Sequence, residues 1–88
     1  MYEKSYWRFR CIGAMPILEV TGETMDLACQ RGMIEYSLIL IDKASEYKGI
    51  MYQLDKPLSS KYNLTISFAL LFPTMSNMKK FLSVLPKN

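Results

Sequence analysis

Histidine is absent from this chain, and cysteine occurs only twice, as Cys11 and Cys29, with no CxxC pair. The common zinc sites, imidazole acid–base chemistry and any Cys–His nucleophile pair are therefore excluded. The four glycines are isolated from one another, so no glycine-rich loop is available to cradle phosphates. No apolar run approaches the roughly 20 residues that a membrane-spanning helix needs, the longest being 68–73. The carboxylates are few and scattered, with no spacing that pairs two of them for general acid–base work. No catalytic residue, metal ligand or cofactor site can be assigned, and the expectation is a non-enzymatic protein that binds no cofactor.

The apolar content is high. Half of the 88 residues are hydrophobic, with six Tyr, four Phe, Trp7 and seven Met. That is too apolar for a disordered chain and enough for one small domain spanning 1–88. So short a chain buries a modest fraction of its surface, and a partner that covers apolar area would add to its stability. The methionines serve either as core filler or as adaptable contact surface. A net charge of +3 is mildly basic, and the basic residues are dispersed, the tightest groups being Arg8/Arg10 and Lys79/Lys80. The first ten residues are charged and aromatic rather than a secretory leader. The expectation is an intracellular protein, cytoplasmic or nuclear, with both thiols reduced and buried and no membrane association.

Along the chain, residues 1–20 read as an N-terminal arm or strand. Within them Trp7, Arg8, Phe9 and Arg10 form an aromatic–arginine cluster of the kind that anchors interfaces. Gly13 and Pro16 break this segment, and 17–20 is a brief strand. Thr21 or Thr24 can cap a short helix at about 23–31, with Gly32 at its end. Residues 33–72 read as central antiparallel strands. The first is 33–41, whose Leu38-Ile39-Leu40-Ile41 run is apolar on both faces; the second is 47–54; the third is 62–72, where Leu64, Ile66 and Phe68 alternate with polar residues. A turn at 42–47 and a loop at 55–61 containing Pro57 separate them. After Pro73, Met75, Met78, Phe81, Leu82 and Leu85 keep helical spacing, while 80–85 also alternates as a strand would.

The stretch 36–66 resembles the first sequence motif of Sm and Sm-like proteins. Gly49 lies six residues before Asp55, and Asn63-Leu64 follows as the asparagine–apolar pair. Glu46-Tyr47-Lys48-Gly49 is similar to a run in the divergent Gemin-type members of the SMN complex. The arginine–glycine pair of the second Sm motif is missing, Asn77-Met78-Lys79-Lys80 standing near its place, and the first twenty residues have no counterpart. The resemblance implies an α+β, mostly β fold: a short N-terminal helix, then a strongly bent antiparallel sheet forming an Sm-like small barrel, with 80–85 as a strand. It also implies a protein-interaction module in a protein or ribonucleoprotein assembly complex, joined to its partner or to further copies by edge-strand pairing. Trp7, Arg8, Phe9, Arg10, Phe81 and Val84 are the partner-binding candidates, and Tyr62 and Asn63 stand where the family grips RNA.

Two other readings stand beside it. If 74–85 is a helix, the order becomes an α-β-β-β-α two-layer domain of the double-stranded-RNA-binding kind, with Lys79 and Lys80 on phosphates. The third reading is a small viral or mobile-element protein that inhibits a host complex by surface binding.

Overall fold

The computed structural model describes residues 5–86. Six elements follow in chain order: β1 (Ser5–Cys11), β2 (Ile17–Thr24), α1 (Leu27–Ser45), β3 (Ile50–Ser59), β4 (Leu64–Leu71) and α2 (Met75–Ser83). The strands form one antiparallel sheet in the order β1-β2-β4-β3. Gly13, at φ +59°, sits in the β1–β2 turn, where a glycine meets no steric penalty. Helix α1 carries the chain from β2 to β3, with β4 inserted between those two strands, a split β-α-β arrangement.

The domain is thus α+β with more strand than helix, but its sheet is open. The barrel implied by the Sm resemblance is not formed, and the chain enters through two strands rather than a helix. The α-β-β-β-α order is likewise replaced by β-β-α-β-β-α. The expected helix at 23–31 and strand at 33–41 are corrected to a single 19-residue helix. The segment 74–85, open between helix and strand, is helical over Met75–Ser83.

Local chemistry explains both helices. Asp26 caps α1 by accepting a hydrogen bond from the Ala28 amide at 2.9 Å, and Thr24 Oγ1 accepts from the Asp26 amide at 3.1 Å. At the other end Gly49 N–H donates to Ala44 O at 2.8 Å and Lys48 N–H to Ser45 O at 3.1 Å. These are the two bonds of a Schellman motif. Lys48 takes the left-handed conformation, φ 65°. Gly49 follows it because a Cβ there would lie 2.8 Å from Phe72 Cε1 and 2.9 Å from Ala44 O. In α2, Thr74 accepts from the Asn77 amide at 3.1 Å, immediately after Pro73 stops β4.

Both helices cover the same sheet face. Leu18, Val20, Leu64, Ile66, Phe68 and Leu70 point into a core completed by Met33, Leu40 and Ala44 from α1 and Met78 and Phe81 from α2. On α1 the buried positions are Cys29, Met33, Ser37, Leu40 and Ala44, the three-to-four spacing of one helix face. Leu38 and Ile39, by contrast, are each 60% exposed. Their apolar character led the sequence reading to a strand, because outward leucine and isoleucine blur the helical period. Phe81 is fully buried, with its ring centroid 5.4 Å from Phe72 and 6.5 Å from Tyr47.

Candidate functional site: an open sheet face and its β3 edge

The pairing registers define the composition of the second sheet face, on which neither helix packs. Its rows run across the strands as Ile17–Leu71–Ile50, Arg10–Glu19–Ala69–Tyr52, Arg8–Thr21–Ser67–Asp55 and Tyr6–Glu23–Thr65–Leu58. One end is apolar, formed by Ile17, Leu71, Ile50, Ala69 and Tyr52. The rest carries both signs of charge. Arg10 Nη2 lies 3.1 Å from Glu19 Oε1. Arg8 Nε donates to Tyr6 Oη at 2.9 Å, with its guanidinium 5.4 Å from the Tyr6 ring centroid. Glu23 and Asp55 add negative charge to the same surface.

The edge strand β3 is exposed along its whole length. Ile50 is 62% exposed, Tyr52 56%, Leu54 47% and Leu58 73%. Its two halves differ. The pairing to β4 is regular at Ile50–Gln53 and then shifts between Gln53 and Asp55 and again between Asp55 and Leu58. Gln53 Nε2 donates to Asp55 O at 3.0 Å, which occupies a carbonyl at the first shift. Lys56 and Pro57 follow in sequence.

The structure separates the predicted partner-binding residues. Trp7 and Phe9 are half-buried against the helix-side core. The Trp7 and Tyr36 rings meet edge to face, with centroids 5.1 Å apart. Desolvation by burial raises the Tyr36 phenol pKa above its usual value. Phe81 is a core residue, so as a contact residue it is corrected to a packing one. Val84, 44% exposed, ends α2. Only Arg8 and Arg10 lie on the open face.

The predicted RNA residues fall on two elements. Tyr62 and Asn63 are in the β3–β4 turn. There Ser60 Oγ accepts from both their amides, at 3.2 and 3.0 Å, and Lys61 Nζ lies 5.5 Å from the Tyr62 ring centroid. Lys79 and Lys80 are exposed on α2, in the helical layer. Asn63 also lines a shallow depression of about 290 Å³ with Tyr6, Glu23, Thr24 and Met25.

Cys11 is exposed and Cys29 buried, with no disulfide joining them; the expectation that both thiols are buried is corrected for Cys11. Among the described residues, no three His, Cys, Asp or Glu side chains are grouped to hold a metal ion. No helix among them is long and apolar enough to cross a membrane.

Ile50, Tyr52 and Leu54 were not singled out from the sequence as contact residues. Their signal was present: a strand segment of five uncharged residues, immediately followed by Asp55-Lys56-Pro57. A second surface, not legible from the strand expected at 33–41, is the stripe of Leu27, Ile34 and Leu38 on α1, exposed by 58%, 46% and 60%. No protein-family model, curated protein or solved structure matches the chain.

Proposed function

We propose that this domain is a non-catalytic protein-interaction module that docks through the β3 edge and the adjoining apolar end of the open sheet face. The observation that carries this reading is the exposure of Ile50, Tyr52 and Leu54 on an unpaired strand edge beside Ile17 and Leu71. An edge strand presents a row of unsatisfied backbone donors and acceptors. A partner strand satisfies them while covering the side chains between.

Charge favours a protein partner over RNA. A nucleic-acid surface gathers lysine and arginine against phosphates. Here Arg8 and Arg10 share the open face with Glu19, Glu23 and Asp55, and Arg10 is already paired to Glu19. The aromatic side chains Tyr6 and Tyr52 lie on the two outer strands, while the central strands offer Thr, Ser and Ala where stacking platforms would stand.

A photo-crosslinking residue in place of Tyr52 tests the proposal, with the same residue at Lys80 as control. Discrete protein adducts, homomeric or heteromeric, at position 52 and not at 80, surviving nuclease treatment, are expected. Nuclease-sensitive adducts, or no discrete adduct at 52, would overturn the proposal.

A further inference from the structure

The sheet has two edges, and each carries features that oppose pairing along part of its length. Exposed Arg8 and Arg10 punctuate β1, and edge charge is a common defence against strand addition. Strand β3 is bent by two register shifts, the first at Leu54 and the second between Asp55 and Leu58, and its half beyond Leu54 contains Pro57, which has no N–H to donate. It also has the Asp55 carbonyl occupied by Gln53 Nε2. The segment Ile50–Leu54 has no charge, no proline and regular pairing to β4 up to Gln53.

We infer that this segment pairs antiparallel with the same segment of a second copy, giving a two-fold dimer with a continuous eight-stranded sheet. The inference rests on the interaction reading above and names its partner. Symmetry selects the register. Two identical antiparallel edge strands related by a two-fold axis perpendicular to the sheet place one residue opposite itself. Centring on Tyr52 sets Ile50 opposite Leu54 and Met51 opposite Gln53, so every cross-strand pair within the segment is uncharged. Centring on Gln53 instead places Ile50 opposite Lys56 and Met51 opposite Asp55, which buries charge against apolar side chains. Centring on Met51 brings in Lys48, whose left-handed backbone leaves the strand.

In the Tyr52 register the apolar row Ile17–Leu71–Ile50 of one copy continues into Leu54 of the other. The seam is short against the roughly 800 Å² per partner of a standard interface, so the dimer is concentration-dependent.

The test uses the purified full chain in sedimentation equilibrium. The expected result is a reversible monomer–dimer equilibrium. Ile50→Lys and Leu54→Glu should each weaken it at least tenfold, and the double substitution should restore it. In the Tyr52 register the two new charges meet across the seam twice, whereas within one chain they lie four residues apart along a strand. Both positions are exposed, so folding is preserved, as circular dichroism of each variant would verify. On a Cys11→Ser background, Tyr52→Cys should form an intersubunit disulfide on mild oxidation, because directly opposed antiparallel residues have Cα atoms about 4.5–5.5 Å apart. Gln53→Cys, which faces Met51 of the partner, should crosslink far less.

A protein that stays monomeric up to about 1 mM, or a dimer indifferent to both single substitutions, overturns the inference. Monomeric behaviour together with heteromeric adducts at position 52 would leave the interaction reading standing and remove only the second copy. Absence of any protein adduct would remove both.

Discussion

The indole of Trp7 lies across Gly22 on the neighbouring strand, so closely that a Cβ at Gly22 would sit 2.7 Å from Trp7 Cζ3. The two residues are register partners in the β1–β2 pair. The missing side chain makes room for the ring to reach Tyr36 on α1. One glycine thus joins the N-terminal strand to the helical layer.

Gly22→Ala should therefore destabilise the fold by about 1–3 kcal/mol, the usual penalty for overpacking. Chemical denaturation would measure it, and Trp7 emission should shift to the red as the ring is displaced. Trp7→Leu should relieve much of the added penalty, giving a non-additive double-mutant cycle. Additive effects would show that the contact does not govern the site.

Lys48 holds a left-handed backbone at the end of α1, a conformation that side chains with a Cβ adopt at a cost of about 1–2 kcal/mol. Lys48→Gly should raise stability by up to about 1 kcal/mol, the relief being partly offset by the greater entropy of glycine in the unfolded chain. Gly49→Ala, one residue on, should lower it, since its Cβ meets Phe72 and the Ala44 carbonyl. Thermal melts of the two variants should move in opposite directions.

Thr74 satisfies an otherwise unpaired amide at the start of α2. Thr74→Ala should cost about 1 kcal/mol, and Thr74→Ser or Thr74→Asp should retain most of the stability. Because α2 supplies Met78 and Phe81 to the core, the loss should appear in global unfolding rather than as local fraying alone. Native-state hydrogen exchange distinguishes the two.

Burial raises the Tyr36 phenol above its usual pKa, which is about 10 in an unfolded chain. Above that pH the unfolded state releases the phenolic proton while the folded state retains it. Stability from this site is therefore complete below about pH 10 and declines as the pH rises further. Tyr36→Phe should make the alkaline decline shallower, as denaturation midpoints from pH 8 to 11 would show. An unchanged slope would remove Tyr36 from the explanation.

Much of the strand content was legible from residue order. Leu64, Ile66 and Phe68 alternate with polar residues, and β4 forms there with those side chains in the core. The aromatic–arginine alternation at the N-terminus became β1, with Trp7 and Phe9 on one side and Arg8 and Arg10 on the other. The longest element, α1, was not legible in the residue order. Asp26 and not Thr24 caps α1, and the exposed Leu38 and Ile39 hid a periodicity carried by Cys29, Met33, Leu40 and Ala44. Outward apolar residues on a helix defeat a reading that equates apolar with buried.

The candidate site was less legible than the fold. Trp7, Phe9 and Phe81 are aromatic and so read as interface anchors, yet Phe81 is buried in the core and Trp7 and Phe9 are half-buried against it. Ile50, Tyr52 and Leu54 were read only as part of a strand, because edge position is a property of sheet order and leaves no local mark.

The sequence by itself determined the absence of histidine chemistry and of phosphate-loop chemistry, since those depend on residue types being present at all. It also determined the local breaks at Gly13, Pro16 and Pro73, which act through their own backbone. Tertiary structure alone decided that β4 inserts between β2 and β3, that both helices cover one face, and that β3 is left at an edge. Those outcomes depend on which apolar surfaces meet across distant segments, and the free energy of that burial belongs to the assembled pairs rather than to any one stretch of the chain.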